Sequence, residues 1–335
     1  MKTILVTGAS GFVARHLIPL LLERGWHVKA AVRNQQTFDV LQLRFSESAL
    51  RANMTPVVVG EVDGKTEWQR SLEGVAAVVH LAARAHILHD KSPDPEREFF
   101  RVNVEGTGNL AEQSIRSGVK RFVFISSIGA MTSLSDEVLD EDSPCRPNTP
   151  YGCSKLKAER LLVELAQGST MAWTILRPTL VYGPGNPGNM ERLIRLVKSG
   201  FPLPFGGVRN RRSFLFVGNL VDAIVAGLER LNAVNRVFLV SDGEDLSTPD
   251  LIRRIAEHMN CPARLLPVPS NLLKMGGWLG DFMERIALKP FVLNGGVIER
   301  LLGSLAVDSR CIRTSLNWFS PFTVDEGLSL TVGQK

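Results

Sequence analysis

The 335-residue sequence lacks most of the features that mark specialised protein classes. Its four cysteines, Cys145, Cys153, Cys261 and Cys311, are scattered, with no C-x-x-C pair and no histidine-rich neighbour. That pattern argues against a disulfide framework and offers no zinc-ligand spacing, so no metal is expected. No stretch reaches the roughly 18 apolar residues of a membrane helix; even the segment 75–88 is broken by His80, Arg84 and His86. The N-terminal run from Met1 to Val6 reaches glycine at Gly8 and never makes the roughly 7–15-residue apolar stretch of a secretory signal. There is no proline-glycine excess, no acidic block and no repeat at a solenoid period, which argues against disordered, collagenous and solenoid architectures. The surplus of 39 Lys and Arg over 34 Asp and Glu is only +5, too small over this length to mark a nucleic-acid partner. The expectation is a cytoplasmic protein of a reducing compartment, with no membrane and no nucleic-acid partner.

Apolar residues at 44% and charged residues at 22% are ordinary for a globular chain, and the length fits two units of roughly 100–200 residues. Short apolar runs at 3–7, 27–32, 57–59, 76–80, 122–126 and 173–176 alternate with amphipathic segments at 13–24, 99–117 and 151–167. That alternation predicts βαβ units, hence an α/β fold with a Rossmann-type doubly wound parallel sheet. The runs 57–59 and 122–125 are continuously apolar, as strands covered on both faces must be. After 180 the rhythm breaks into turn-rich segments, with a helix-like stretch at 191–199 and a strand-like one at 214–217. Residues 1–180, rejoined by 214–242, are expected to form the first domain. A smaller irregular α/β part from 181–213 and 243–330 is expected to shape substrate binding.

Three constellations carry chemistry. Thr7-Gly8-Ala9-Ser10-Gly11-Phe12-Val13-Ala14 follows a predicted strand and opens a predicted helix, the context in which glycines let backbone N–H groups approach a pyrophosphate and the helix N-terminus favours the anion. At the end of the second strand, where Asp or Glu would take a ribose 2′-hydroxyl, the chain has Arg33. A guanidinium there favours a 2′-phosphate, so NADP(H) is preferred and NAD(H) remains an alternative. Tyr151-Gly152-Cys153-Ser154-Lys155 begins a predicted helix. Residues four apart share a helix face, so the Lys155 ammonium is expected beside the Tyr151 phenol, favouring phenolate and bringing it into range as a general acid or base. Ser126 and Ser127 end the strand 122–125 and project from the carboxyl edge, where open α/β sheets bind ligands.

With these pieces in place the chain resembles an extended short-chain dehydrogenase/reductase of the nucleotide-sugar epimerase/dehydratase family. The resemblance rests on the TGASGF turn, His80-Leu81-Ala82-Ala83, Asn103-Val104-Glu105-Gly106-Thr107, the FVFISS strand, YGCSK, Leu176-Arg177-Pro178, Val181-Tyr182-Gly183-Pro184 and the segment from Arg212 to Val217. It implies Tyr151 as acid/base, Ser127 as hydrogen-bond partner of the same substrate oxygen, and Lys155 on the nicotinamide ribose. It further implies that Gly8, Ser10, Gly11, Phe12 and Val13 cradle the pyrophosphate and that Glu61 and Val62 meet adenine. Leu81, Ala82, Ala83, Asn103 and Pro178 would complete the dinucleotide site. For a UDP-sugar substrate it implies Arg212 at the diphosphate, Asn189 at the nucleotide, and Leu203 and Phe205 flanking uracil. A homodimer through the helices near 99–117 and 151–167 is also implied.

The departures narrow the reading. Leu180 and Ser304 stand where galactose epimerases of this family carry Asn and Asp, and Ser127 is followed by Ile128-Gly129-Ala130 rather than by the acidic pair of the 4,6-dehydratases. The C-terminal segment 300–309 looks most like a bacterial surface-polysaccharide subgroup that includes UDP-N-acetylquinovosamine 4-ketoreductases. The leading expectation is therefore NADP(H)-dependent reduction of a UDP-4-keto-6-deoxy-N-acetylhexosamine. The alternative is a UDP-N-acetylhexosamine or UDP-glucose-type 4-epimerase with tightly held NAD. A cofactor-sensing binding protein fits less well, because Ser127, Tyr151 and Lys155 are all intact. His86 is expected near the sugar pocket or on the surface, and Trp26, Trp68, Trp173, Trp278 and Trp318 are read as packing residues.

Overall fold

The strand Thr3–Thr7 (β1) shows why the sheet forms at its centre. Ile4 and Val6 are fully buried on one side and Leu5 on the other, each in a separate apolar core. A strand that buries both faces has to sit inside a parallel sheet with helices on either side. The computed structural model describes residues 2–43, 52–85, 92–186, 188–276 and 295–333; His86 and Trp278 lie outside them.

The remaining strands are β2 (His27–Val32), β3 (Met54–Val58), β4 (Val75–His80), β5 (Arg121–Ile125), β6 (Val138–Leu139), β7 (Ala172–Pro178), β8 (Leu180–Tyr182), β9 (Arg212–Phe216), β10 (Arg236–Val240), β11 (Asp245–Leu246) and β12 (Ala306–Val307). Seven of them make one sheet in the order β10-β7-β5-β4-β1-β2-β3, and every pairing in it is parallel. Strand order reverses between β1 and β4, so the crevice outside their carboxyl ends is the topological switch point where such sheets bind ligands.

The helices are α1 (Phe12–Glu23), α2 (Gln35–Gln42), α3 (Gln69–Leu72), α4 (Pro95–Phe99), α5 (Gly106–Arg116), α6 (Pro150–Ala166), α7 (Asn189–Lys198), α8 (Val217–Glu229), α9 (Thr248–His258), α10 (Gly295–Leu302), α11 (Arg310–Leu316) and α12 (Val324–Val332). Helices α1 and α8 cover one face through Leu17, Leu21, Leu220 and Ile224, while α5 and α6 cover the other through Leu110, Ala111, Ala158 and Leu162. At Gly108 of α5 an added Cβ would lie 2.5 Å from Leu161 Cδ2 of α6, so the Leu161 side chain packs directly onto the glycine backbone and would have to shift for any larger residue.

Three expectations need correction. The helix expected over 99–117 is interrupted: a π-helical stretch, Phe100–Glu105, links α4 to α5 and turns Asn103 and Val104 inward. The run 57–59 is not covered on both faces, because β3 is the last strand of the sheet and Val58 is 54% exposed. The segment 214–216 belongs to β9 in a separate sheet of order β11-β9-β8, Val217 already opens α8, and of the expected return segment α8 and β10 pack on or pair with the large sheet. Trp68 and Trp318 are buried as expected of packing residues. Among the described residues no helix is long and apolar enough to cross a membrane.

Candidate active site

The switch point is organised by a buried histidine. Thr107 Oγ1 donates to the Asn103 carbonyl (2.7 Å), so the His80 Nε2–H must donate to Thr107 Oγ1 (3.0 Å). His80 Nδ1 is then the acceptor for the Thr7 hydroxyl (2.7 Å). Burial and the nearby Lys155 push His80 down to about 3, so the ring stays neutral and the tautomer is fixed. With its proton committed to His80, Thr7 Oγ1 accepts the N–H groups of Leu81 (3.2 Å) and Ala82 (3.1 Å). These contacts draw the chain after β4 against the turn after β1.

Gly8 fills the narrow space between them. Its φ is +65°, and an added Cβ would lie 2.9 Å from Ala82 N and 3.0 Å from Ala82 Cα, both backbone atoms. Helix α1 starts at this turn, with Gly11 as an N-cap that has no side-chain cap and no acidic residue in its first turn. The positive helix end is thus left uncompensated at a glycine-shaped crevice, which fits a dinucleotide pyrophosphate. Ser10 and Gly11 are exposed there, while Phe12 and Val13 are half-buried. Phe12 also stacks edge-on against His16 (5.5 Å between centroids), and His16 Nε2 bonds the Pro184 carbonyl (3.2 Å), tying α1 to the chain beyond β8.

At the next strand end Arg33 is exposed and Asn34 is consumed as the cap of α2, accepting from Thr37 N (2.9 Å) and Thr37 Oγ1 (2.7 Å). Glu61 is held by Arg101 of the π-helical stretch (2.9 Å), which also pairs with Asp63 and Glu98 (2.9 Å each). The Glu61 carboxylate is therefore engaged by a cation, and Val62 packs against Gly106. Asn103 differs from the expected cofactor contact. Its oxygen accepts from Arg84 N (2.8 Å), and its nitrogen donates to Arg84 O (3.1 Å) and Ser154 Oγ (2.9 Å). A buried amide used in this way staples the chain after β4 to the helix that carries Tyr151 and Lys155. Pro178 closes β7 and is buried, as is Asn103, while Ala83 is exposed.

Ser127, Tyr151 and Lys155 lie at the carboxyl edge of β5. Ser127 caps a short 3₁₀ turn, Ile128–Ala130, its hydroxyl accepting from Gly129 N (3.0 Å). Tyr151 lies in the first turn of α6, which Thr149 caps by accepting from Gly152 N (3.1 Å). The nearby Ser127 hydroxyl favours the Tyr151 phenolate, but burial outweighs it and pushes the phenol up to about 12. The expected depression by Lys155 is absent for a geometric reason. The Lys155 ammonium donates to the Ile125 carbonyl (2.7 Å) and sits over the Phe124 ring (4.2 Å), where burial pulls it down to about 7. At neutral pH Tyr151 is a protonated phenol, ready to donate; loss of its proton requires positive charge or hydrogen bonding from a bound partner.

The predicted substrate residues separate into two groups. Arg212 opens β9, and its Nη1 donates to the carbonyls of Arg300 (2.7 Å) and Gly303 (3.1 Å), so one corner of the guanidinium caps the end of α10. Burial and the neighbouring Arg300 depress its pKa. Asn189 is the exposed first residue of α7. Leu203 and Phe205 are 4% and 0% exposed, because the 203–206 segment is hydrogen-bonded along 264–266 with both side chains turned into the core. Neither side chain is exposed to flank a ligand there. Residues the sequence gave no role include Glu159 and Arg177, a buried pair behind Lys155 (2.6 Å); Glu159 at four residues past Lys155 was the available signal. Among the described residues no cluster of metal-ligating side chains is present.

Comparison with known proteins agrees with this geometry. Residues 4–241 match the model of the NAD dependent epimerase/dehydratase family. The chain is 40% identical over 98% of its length to a UDP-glucose 4-epimerase of Vibrio cholerae, covering 94% of that protein. It is 28% identical, again over 98% of its length and 94% of the relative, to an Escherichia coli O157:H7 N-acetyl-alpha-D-glucosaminyl-diphospho-ditrans,octacis-undecaprenol 4-epimerase. The structure of MoeE5 in complex with UDP-glucose and NAD superposes with a TM-score of 0.75 at 25% identity, covering 99% of this chain and 98% of that one. The chain belongs to the NAD-dependent epimerase/dehydratase family.

Proposed function

We propose that this protein is a 4-epimerase of a UDP-linked hexose, using NAD. The observation that carries the reading is the 40% identity over 98% of the chain to a relative named for UDP-glucose 4-epimerisation, joined to the Ser127–Tyr151 hydroxyl pair at the carboxyl edge of the sheet. The Escherichia coli relative is also named for 4-epimerisation of a hexosyl diphosphate, so the shared chemistry is inversion at C4. The epimerase alternative thus replaces the 4-keto reduction expected from the sequence as the preferred reading.

The cofactor, when bound, supplies the acceptor and donor of the C4 hydride. Gly8, Ser10, Gly11, Phe12 and Val13 would hold its pyrophosphate, Leu81, Ala82 and Ala83 would line it, and Lys155 would hold its ribose. Once positive charge bound beside it has released the phenol's own proton to solvent, the Tyr151 phenolate takes the proton of the C4 oxygen as the hydroxyl is oxidised and returns it as the carbonyl is reduced. Ser127 hydrogen-bonds the same oxygen and stabilises its developing charge. Arg212 and Asn189 would face the UDP part, within a substrate unit drawn from 181–213 and 243–330. A dimer through the helical stretches 99–117 and 151–167 would cover Phe100 and Val163, each 39% exposed.

One observation favours a second reading: Arg33, exposed at the end of β2, suits a 2′-phosphate and hence net reduction with NADPH. Both are tested together. Purified protein is given UDP-glucose or UDP-N-acetylglucosamine with NAD, and separately UDP-4-keto-6-deoxy-N-acetylglucosamine with NADPH. Interconversion of gluco and galacto forms without net cofactor change supports the epimerase; stoichiometric NADPH loss supports the reductase. Tyr151→Phe should lose turnover by more than about 10²-fold while still binding the dinucleotide, and near-wild-type turnover would sink the mechanism.

A further inference from the structure

Behind the reacting groups lies a buried polar network that the proposed chemistry does not use. Glu159 sits one turn beyond Lys155 on α6, so both side chains occupy one helix face. Its carboxylate accepts from Arg177 Nε (3.0 and 3.2 Å) and Nη2 (2.6 Å) and from the Ser126 hydroxyl. Glu159, Arg177, Ser126 and Lys155 are 3%, 6%, 4% and 2% exposed. Ser126 in turn donates its N–H to the Leu176 carbonyl (2.8 Å), between the Ile125 carbonyl that receives Lys155 and the Ser127 hydroxyl that meets Tyr151.

A buried ion pair is seldom retained for stability alone, since desolvation offsets most of the attraction. This one bonds Ser126, which lies between Ile125 and Ser127, and sits one helical turn from Lys155. We propose that Glu159 is a positioning residue of the Ser127–Tyr151–Lys155 centre: through Ser126 it fixes the strand end carrying Ile125 and Ser127, and its carboxylate is the counter-charge that faces Lys155.

The charged and titratable groups around Lys155 make the assignment specific. Tyr151 and Glu159 flank it on α6, the neutral His80 faces it from β4, β5 contributes the Ile125 carbonyl and the Phe124 ring, and β7 contributes Arg177 behind Glu159. Cys145 lies beyond, against Arg177. Of these, Glu159 is the group that raises the Lys155 pKa against the burial that lowers it. Removing its charge lets Lys155 lose its proton at lower pH.

The test uses full-length protein carrying lysine labelled with ¹³C at Cε, with the Lys155 signal assigned through Lys155→Met, and follows its titration by NMR. Glu159→Gln keeps the size and an acceptor but not the charge. Its Lys155 titration should fall by about one pH unit or more, and the alkaline limb of the pH–rate profile should move down with it. Glu159→Asp, which keeps the charge, should restore the wild-type titration even if it lowers thermal stability. A loss of stability alone is common to any cut in a buried network and does not count in favour. An unchanged Lys155 titration in Glu159→Gln overturns the proposal. Should that variant not fold, an Asp variant titrating below wild type overturns it, and one titrating at the wild-type value supports it. The inference rests on the proposed catalytic centre but not on the sugar. The NMR titration needs no substrate, so failure to find epimerisation would leave this result readable by itself.

Discussion

Gly152 separates Tyr151 from the turn that carries Ser127, and its replacement by alanine is the most searching test of the site. A Cβ at position 152 would stand 2.1 Å from the Gly129 carbonyl oxygen, 3.0 Å from Gly129 C and 3.1 Å from Thr149 Oγ1. An ordinary C···O approach is about 3.3 Å, so the two backbones must part by roughly 1.2 Å. Helix α6 is held by its Thr149 cap and by Glu159 on Arg177, so most of the displacement falls on the 127–130 turn. Gly129 N–H is bonded to the Ser127 hydroxyl (3.0 Å), and Ser127 is carried away from Tyr151 with it. A misplacement of about 1 Å in a reacting array costs on the order of 10²-fold in rate, and overpacking costs about 1–3 kcal/mol of stability. Steady-state epimerisation of UDP-glucose should therefore show kcat down about 100-fold, with urea denaturation reporting the modest stability loss. Dinucleotide affinity, set at the distant β1–α1 turn, should stay near wild type. Wild-type kcat in Gly152→Ala would refute the claim that this close approach aligns Ser127 with Tyr151.

Two further predictions follow from other sites. Gly8→Ala combines a left-handed φ of +65° with a Cβ 2.9 Å from Ala82 N; the conformation alone costs about 1–2 kcal/mol. Calorimetric titration with NAD should show clearly weaker binding, and unaltered affinity would show that the crevice is not the pyrophosphate cradle. Asp242 accepts bonds from Tyr182, Phe216 N and Asn219, and burial pushes it up from 3.8 to about 6. Between those values the folded state holds a proton that the unfolded chain has released, so its contribution is lost as pH rises through the folded pKa. Urea denaturation of wild type and Asp242→Asn should diverge accordingly, wild type losing up to roughly 2–3 kcal/mol relative to the variant across the window. Parallel stability curves would remove Asp242 as the titrating group.

Much of the scaffold was legible in the chain because it depends on local pattern. The alternation of apolar runs with amphipathic stretches foretold the parallel sheet. The glycines at 8 and 11 directly after a strand foretold the turn at its switch point, and the four-residue spacing of Tyr151 and Lys155 foretold their common helix face. Each is a statement about a few neighbouring residues and the period of one element. The interruption at 100–105 was not legible, since the reason for turning Asn103 inward is the backbone at Arg84 and the hydroxyl of Ser154, both distant in sequence.

The same limit governs charge. The sequence by itself determined which groups stand at the carboxyl edge, but not what holds them. Lys155 turns to the Ile125 carbonyl because β5 presents it there, and Glu159 meets Arg177 because α6 crosses β7 at that height. Arg212 caps α10, and Phe205 is sealed in the core, through segments about 60 to 90 residues away that pack only in the folded chain. Proton affinity follows burial and nearby charge, and both are properties of the assembled interior. The raised Tyr151 and lowered Lys155 were therefore decided by tertiary structure alone.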